Sequence, residues 1–327
     1  MPAPDHFRLY PLRFCFAANE SVHFPPGKSA NILRGAFGSI FQRIACMPDC
    51  PGARACEIRG ACPYARMFEP SALAGGPSGL ADWPRPFVFR ATHLDGHTIA
   101  RGGSFSFDLN LFDMRSPAVA YLVLTFAQLA REGLGPSRGR ADLLEVTQLD
   151  ESGECVARLY DGETFSLQEG PAPMILSLAP AAERVSRAAV RFVTPTELKS
   201  GQQLAERPEF GVLAGRIRDR LSTLRELYDD GPLGIDFRGF GERATRVKMT
   251  RCEIRRVEVE RRSSRTGRVH PIGGFVGEAE YEGELGEFVP YLRAGRWVGV
   301  GRQTVWGKGE ISVQALHVAS VSGTLEL

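Results

Sequence analysis

A short segment near the end of the chain combines four glycines with two cations and a tryptophan, Gly299-Val-Gly-Arg-Gln-Thr-Val-Trp-Gly-Lys-Gly309. Glycine lets a backbone approach a ligand closely, and exposed amides beside Arg and Lys attract anions. A nucleotide P-loop is excluded because five residues separate Gly301 from Gly307 and a glycine follows Lys308. The segment is therefore either a glycine-rich turn or an anion-contacting loop. Its candidate contact residues are Gly299, Gly301, Arg302, Gly307, Lys308 and Gly309.

A second basic feature lies between Asp236 and His270, where eleven Lys or Arg and five Asp or Glu residues give a net charge of +6. A run of charge is commonly a solvated face, but arginine mixed with serine and glycine is also typical of phosphate contacts. Two basic features in the same half of the chain favour RNA or DNA as the partner. The candidate contacts here are Lys248, Arg261, Arg262, Arg265, Arg268 and His270.

Four cysteines, Cys46, Cys50, Cys56 and Cys62, are separated by three, five and five residues. Four thiolates in one short segment could bind a structural zinc ion tetrahedrally and order a segment that has no core of its own. Only the first pair has the usual zinc spacing, and an iron–sulfur cluster would use the same ligands. Reduced, partly buried cysteines are the alternative.

The composition sets limits on the class of protein. The chain has 327 residues, 43% of them hydrophobic, and a net charge of +2. This length predicts two domains, and the small charge means that a polyanion must be met by a local patch. The N-terminus shows no secretory signal, and the longest apolar run is too short to span a bilayer. Seven cysteines, an odd number, favour a reducing compartment, so we expect a cytoplasmic protein without membrane contact.

Hydrophobic periodicity predicts two halves with one plan. The predicted elements of the first half are a strand over 7–16 interrupted at Pro11, a helix over 28–45, strands over 87–90 and 104–112, a helix over 117–131 and a strand over 143–149. Those of the second half are a strand over 190–193, a helix over 208–228, strands over 245–260 and 277–283, a short helix over 288–292 and a strand over 311–318. Both follow the βαββαβ order of a ferredoxin-like unit.

The predicted fold class is therefore α+β, with two tandem ferredoxin-like domains over 1–178 and 179–327 and a cysteine-containing insertion over 46–70. A further glycine-rich basic loop, Gly133-Leu-Gly-Pro-Ser-Arg-Gly-Arg140, supports this duplication. It lies between the second helix and the last strand of the first half, where Gly299–Gly309 lies in the second half. Arg138 and Arg140 are its candidate anion contacts, although turn chemistry alone could produce both loops.

Four stretches carry a resemblance to a known family. They are Ile32-Leu-Arg-Gly-Ala-Phe-Gly38, then Cys62-Pro-Tyr-Ala-Arg-Met-Phe-Glu-Pro70, then Phe192-Val-Thr-Pro-Thr-Glu-Leu-Lys199, and finally Arg262-Ser-Ser-Arg265 with Gly273, Gly274 and Gly277 ahead of Gly299–Gly309. In this order they extend over most of the chain. The chain resembles the CRISPR-associated precursor-crRNA processing endoribonucleases of the RAMP superfamily, which carry two ferredoxin-like folds in tandem.

The resemblance implies a reaction and partners. Such enzymes cut precursor crRNA within the CRISPR repeat without metal, when the ribose 2′-hydroxyl attacks the adjacent phosphate and leaves a 2′,3′-cyclic phosphate and a 5′-hydroxyl. This chemistry needs a base, an acid and cations on the phosphorane. The glycine-rich loop would lie along the RNA backbone, and other CRISPR effector subunits are expected partners. Zinc, if bound, would be structural.

The resemblance also implies site residues. Relatives often place a catalytic histidine in or near the first helix, where His23 is the nearest candidate base, and Lys28 and Arg34 could stabilise charge. His270 is a second choice. His93 and His97 flank the turn pair Asp95-Gly96 and are interpreted as hairpin residues. Two alternatives remain: a crRNA-binding subunit that does not cut, and a zinc-stabilised interaction subunit.

Overall fold

The computed structural model describes residues 5–73, 82–115, 118–168, 170–262 and 269–317. The strands of the first half are β1 (His6–Ala18), β2 (Val22–His23), β3 (Phe87–Arg90), β4 (Thr98–Ile99), β5 (Ser104–Leu111), β6 (Ala141–Leu149), β7 (Cys155–Asp161), β8 (Ser166–Leu167) and β9 (Met174–Ser177). Its helices are α1 (Ser29–Ala45), α2 (Pro63–Phe68) and α3 (Ala118–Glu132).

The second half has eight further described strands. These are β10 (Val185–Thr196), β11 (Lys199–Ser200), β12 (Gln203–Leu204), β13 (Lys248–Val257), β14 (Glu260–Arg262), β15 (Val269–Pro271), β16 (Gly274–Glu282) and β17 (Ile311–His317). Its helices are α4 (Phe210–Tyr228), α5 (Phe237–Ala244) and α6 (Val289–Val298). None of the described helices is both long enough and apolar enough to cross a membrane.

Both main sheets have the ferredoxin-like strand order. In the first half the strands lie in the order β3-β5-β1-β6, extended by β7 and β8, with β9 pairing to β1. In the second half the order is β13-β16-β10-β17. Each order follows from βαββαβ connectivity with the first strand between the third and the fourth. The predicted fold class, two tandem ferredoxin-like units, is confirmed. The boundary predicted between residues 178 and 179 lies in the connection from β9 to β10.

Alternating hydrophobic residues build the first core. Leu12, Phe14 and Phe16 of β1 are buried and face α1 and α3. The ring of Phe37 on α1 stacks at 4.9 Å on Phe126 of α3, and each such buried ring contributes about 2–3 kcal/mol from the removal of its apolar area from water. The strand period of β1 and the helical period of α1 therefore position the first turn of α1 relative to the sheet.

The predicted interruption of β1 at Pro11 is wrong, because the strand is continuous. On one side of β1, β9 pairs with His6–Leu9 and β6 pairs from Leu12 onward, so Pro11 lies in the gap between these two partners. On the other side Pro11 is paired in register with Asn110 of β5. The strand also changes its core at this point. Phe7 and Leu9 pack into the hydrophobic cluster of the second half, together with Val88 and Phe112.

The last helix is longer than predicted and ends at Val298 rather than at Leu292. Gly295 interrupts the apolar pattern, but a side chain there would meet Ile311 at 3.0 Å and Ile217 at 3.1 Å. This glycine thus lets α6 pack closely against α4 and β17. α5 and the strands β7 to β9 are not predicted by the hydrophobic periodicity of the sequence.

Candidate functional site at the domain junction

The end of α6 is fixed by side chains of the first half. Arg90 Nη2 donates to the carbonyl oxygen of Arg296 at 2.8 Å, and Asn110 Nδ2 donates to that of Trp297 at 2.9 Å. These carbonyls belong to the last helical turn, whose acceptors have no partner within the helix. The glycine-rich loop that starts at Gly299 is therefore anchored at its beginning by the other domain.

A second arginine approaches the same helix end. Arg220 Nε donates to the carbonyl oxygen of Val298 at 2.8 Å. Burial lowers the pKa of Arg220 to about 10, and the nearby charge of Arg90 acts in the same direction. Two cations at a helix C-terminus are favoured by the helix dipole. Two arginines, Arg90 and Arg220, therefore lie beside the start of the loop at the junction.

The glycines of this loop, residues 299–309, are needed for contacts inside the protein. A Cβ atom at Gly309 would lie 2.0 Å from the oxygen of Val300, and one at Gly301 would lie 2.3 Å from the oxygen of Glu197. A Cβ atom at Gly307 would lie 2.3 Å from Cβ of Ala30 on α1. The loop is therefore folded on itself and packed on the first turn of α1.

The amides of the loop are largely engaged as well. Gly299 donates to Gly295, Gly307 to Thr304, and Gly309 to Pro195 at 3.1 Å. An RNA phosphate would have to compete with these bonds for the same N–H groups. The predicted phosphate contacts of these glycines remain predictions, whereas their packing inside the protein is observed.

The two cations of the loop have different surroundings. Arg302 is exposed, and its Nη1 lies 2.6 Å from Glu197 Oε1. Lys308 is only 4% exposed, and its Nζ donates to the carbonyl oxygen of Gly27 at 3.2 Å. Burial lowers the pKa of Lys308, while Asp95 opposes that shift. Arg302 remains a candidate for RNA contact, and Lys308 holds the loop against the segment before α1.

The start of α1 is capped from outside the helix. Asp95 Oδ1 accepts from the Ser29 amide at 2.9 Å and from Ser29 Oγ at 2.5 Å. A carboxylate here satisfies an amide that has no acceptor within the helix, and it complements the helix dipole. Lys28, the residue before α1, is exposed to solvent.

Arg34 occupies the centre of the junction. Its guanidinium carbon lies 4.0 Å from the ring centroid of Trp306 in the glycine-rich loop and 5.6 Å from that of Phe68 in α2. The structure therefore brings together the predicted residue Arg34 and the predicted loop. Trp306 and Phe68 are not among the site residues predicted from the sequence, although an aromatic residue between the loop glycines was the available signal.

His23 lies beside the other glycine-rich loop, residues 133–140. Its Nδ1 is 2.8 Å from Thr98 Oγ1, and a Cβ atom at Gly135 would lie 2.3 Å from the His23 carbonyl oxygen. Arg138 and Arg140 of this loop are exposed. Arg140 Nε lies 2.9 Å from Glu20 Oε1. The described contacts of His23 thus belong to the first domain.

The basic stretch of the second half is partly compensated by acids outside it. Arg251 Nη1 lies 2.9 Å from Glu280 Oε1, and Arg243 Nη2 lies 2.6 Å from Glu287 Oε1. Lys248 is exposed and pairs in register with Glu282. His270 is half-buried in β15. Arg261 and Arg262 are placed in β14 by their backbone, and Arg265 and Arg268 lie outside the described residues.

Three of the four cysteines in residues 46–62 interact. Burial raises the pKa of the Cys46 thiol to about 12, and the thiols of Cys50 and Cys62 add to the shift. The fourth cysteine, Cys56, lies between Cys50 and Cys62 in the sequence and is buried. The donor set suits zinc, but within the described part of the chain no three cysteine sulfurs lie within 4.8 Å of one another. A tetrahedral site would need the thiols to move closer together.

One other set of metal-type ligands, His6, Asp229 and Asp230, lies within 4.8 Å of one another. Arg8 Nη1 is 2.8 Å from Asp229 Oδ1 and 2.9 Å from Asp230 Oδ2. The guanidinium already supplies the positive charge that these carboxylates need. This cluster is therefore interpreted as an ion-pair network.

These features define a protein of two ferredoxin-like units that meet at a glycine-rich loop. Residues 7–172 match a family model described as the AF_1859 N-terminal domain, and residues 190–311 match that of CRISPR-associated endoribonuclease Cas6. The first half of the chain therefore belongs to the AF_1859_N family, and the second half is similar to CRISPR-associated endoribonuclease Cas6. No curated protein matches the chain by sequence.

Solved structures share the fold. A Cas6 product complex is 18% identical, with a TM-score of 0.53 and coverage of 94% of this chain and 99% of that chain. Thermus thermophilus Cas6 is 15% identical, with a TM-score of 0.51 and coverage of 94% and 98%. One chain of a partial Cas6-RT-Cas1–Cas2 complex is 12% identical, with a TM-score of 0.56 and coverage of 97% and 48%. At these identities the likeness establishes the fold.

Proposed function

We propose that the protein is an endoribonuclease that cleaves CRISPR precursor RNA within the repeat by metal-independent transesterification. One observation carries the proposal. The first turns of α1 and the glycine-rich loop lie far apart in sequence and each contributes to the family resemblance, yet they meet at Arg34 and Trp306, 4.0 Å apart. A cation held at the junction of two domains suits stabilisation of a phosphorane.

The candidate chemistry uses groups of this chain alone. Arg34 and the exposed Lys28 supply positive charge near the start of α1. His23 is the candidate base: where its Nδ1 donates to Thr98, Nε2 carries the lone pair that accepts the 2′-hydroxyl proton. Arg302, Arg138 and Arg140 would contact the RNA backbone. Repeat RNA and other CRISPR proteins are the proposed partners, in line with the Cas6 product complex and the Cas6-RT-Cas1–Cas2 complex among the solved structures.

The test is cleavage of repeat RNA in EDTA under single-turnover conditions. We expect one cut that yields a cyclic phosphate and disappears when a 2′-deoxy nucleotide replaces the scissile one. The His23→Ala variant should cleave at least about a hundredfold more slowly. A cut that requires added Mg²⁺ and survives the 2′-deoxy substitution would refute the mechanism.

A second function, binding crRNA without cutting it, is favoured by the position of His23. Its described contacts are with Thr98 and the loop at Gly135, both in the first domain, rather than with Arg34. In this case RNA binds tightly, with a steep dependence on salt, and no product forms in the same assay.

We also propose that the thiols of Cys46, Cys50, Cys56 and Cys62 bind one structural zinc ion. The segment 46–62 consists of turns and exposes Met47 and Ile58, so it has little core of its own. Metal binding would supply the missing folding energy. Metal analysis of purified protein should find one zinc per chain, and the Cys46→Ser variant should lose it. Iron in its place, or no stoichiometric metal, refutes the proposal.

A further inference from the structure

The guanidinium carbon of Arg34 lies over two aromatic rings that come from different segments. Trp306 belongs to the glycine-rich loop and lies at 4.0 Å, and Phe68 ends α2 and lies at 5.6 Å. Arg34 itself is on α1. The side chain of Arg34 thus connects α1, on which it lies, with α2 of the same domain and with the glycine-rich loop of the other domain.

The fold makes room for this arrangement at Gly38, one turn after Arg34. A Cβ atom there would lie 3.3 Å from the ring of Phe68 and 3.4 Å from Arg34 Nη1. Phe68 is in turn held by Phe37 at 4.9 Å and by Phe41 at 5.5 Å. It is therefore a fixed wall of the first core rather than a mobile surface ring.

Trp306 is placed by the backbone of the loop. It ends a 3-10 turn, Thr304–Trp306, and the residues on either side, Gln303 and Gly307, both have positive φ, at 65° and 75°. Gly307 also packs against Ala30 on α1. The turn cannot shift without disturbing the contact with the helix that carries Arg34.

A planar guanidinium stacked on a ring has a fixed plane, so its N–H groups point in set directions. Lysine has the same charge but no plane, and it cannot be oriented in this way. A phosphorane needs donors aimed at the place where charge develops. Fixing the plane of Arg34 would therefore affect the cleavage step more than RNA affinity.

We infer that Trp306 and Phe68 are positioning residues, which orient the Arg34 guanidinium toward the scissile phosphate. This inference rests on the proposed function. Phe68 ends α2, and α2 starts at Pro63, directly after Cys62. The segment that contains the cysteines is therefore connected to the proposed RNA site through the contact of Phe68 with Arg34.

The experiment is a double-mutant cycle between Arg34 and Trp306, read as single-turnover cleavage and as RNA affinity. Trp306→Leu should slow cleavage at least about tenfold with affinity changed by less than about threefold, because misplacement of a catalytic group mainly affects the chemical step. Trp306→Phe, which keeps a ring, should stay close to wild type. Arg34→Lys should behave like Trp306→Leu.

In the Arg34→Ala background, Trp306→Leu should have no further effect on the cleavage rate, because the cation that it orients is gone. The control is Phe237→Leu. Phe237 carries a similar arginine stack, with Arg218 at 4.7 Å, but lies on α5. This control should leave cleavage unchanged. Multiplicative effects of the two changes at Arg34 and Trp306, or equal rates for Trp306→Leu and wild type, would overturn the inference.

Two further results distinguish loss of positioning from loss of folding and from failure of the proposed activity. If Trp306→Leu lowers the unfolding temperature markedly, Phe68→Leu is used, and normal cleavage by a folded Phe68→Leu variant overturns the role of Phe68. If the wild type binds RNA but does not cut it, the proposed activity fails. The inference, which rests on that activity, then fails with it, whereas a wild type that cuts RNA no faster than Trp306→Leu overturns the inference alone.

Discussion

The two glycine-rich loops, residues 133–140 and 299–309, occupy the same place in two copies of one fold, yet they contact different parts of the molecule. Both need glycine for close backbone approach: a Cβ atom at Gly139 would lie 2.1 Å from the Ser21 oxygen, and one at Gly309 would lie 2.0 Å from the Val300 oxygen. The first loop packs within its own domain. The second packs on α1 of the other domain and buries Lys308 there.

The two loops differ in the role of their cations. Composition is nearly the same, glycine with two cations, but the cations of the first loop are exposed while one of the second has become part of a domain contact. The second loop thus helps to fix the relative position of the two domains. We expect changes in it to affect both stability and RNA cleavage, and changes in the first loop to remain local.

The largest effect is expected for Gly309→Ala. It combines a positive φ of 69° with a Cβ atom 2.0 Å from a carbonyl oxygen, so the free energy of unfolding should fall by about 3 kcal/mol. Gly27→Ala is the matched control, since Gly27 has a φ of 68° and open space around it. It should cost only about 1 kcal/mol. Urea denaturation measures both, and equal costs would contradict close packing of the second loop.

A smaller effect is expected for Gly307→Ala, whose new Cβ atom would lie 2.3 Å from Cβ of Ala30 across the domain junction. We expect a loss of about 2 kcal/mol in the free energy of unfolding and slower RNA cleavage. Because the clash joins two side chains, the double variant A30G/G307A should recover about 1 kcal/mol over G307A. No recovery would show that backbone strain at Gly307 alone sets the cost.

The smallest effect concerns the paired arginines of the two loops. Glu197→Gln releases Arg302 and should raise RNA affinity about twofold. The salt dependence of the affinity should become steeper by the amount expected for one more phosphate contact. Glu20→Gln releases Arg140 in the first loop, and its effect on affinity shows whether RNA reaches that loop too. Affinity lowered by Glu197→Gln would contradict competition between Glu197 and RNA.

The pair of Glu20 and Arg140 sets a pH dependence. The hydrogen bond from Arg140 holds the pKa of Glu20 below its usual range. The pair is therefore intact above the ordinary Glu pKa of about 4, and its contribution is lost as pH falls through the lowered value. Between pH 6 and 8, roughly the working range of RNA assays, affinity should not change through this pair.

The fold could be predicted well from the sequence because its signal is local. Strand alternation in β5 and helical spacing in α1 and α4 marked each element within a few residues. The gaps arose where local pattern and packing disagree. Gly295 ends the apolar pattern but not α6, and Pro11 lies within β1 without interrupting it.

The site could be predicted only in part, because contacts between distant residues leave no local pattern. Arg34 and the loop glycines were selected, but nothing near Trp306 in sequence indicates that its ring meets Arg34. The charge of the segment 236–270 is partly compensated, which its own sequence does not reveal, for a similar reason. Glu280 and Glu287, which pair with its arginines, lie outside that segment and reach it only through the fold.

The continuous strand β1 has a consequence for how the molecule can be divided. Phe7 and Leu9 lie in the hydrophobic cluster of the second half, whereas Leu12, Phe14 and Phe16 lie in that of the first. A fragment starting at residue 179 would leave its interior open on the side that these two residues fill. Expressed separately, such a half should aggregate, and adding back the N-terminal half as a second chain should restore its solubility.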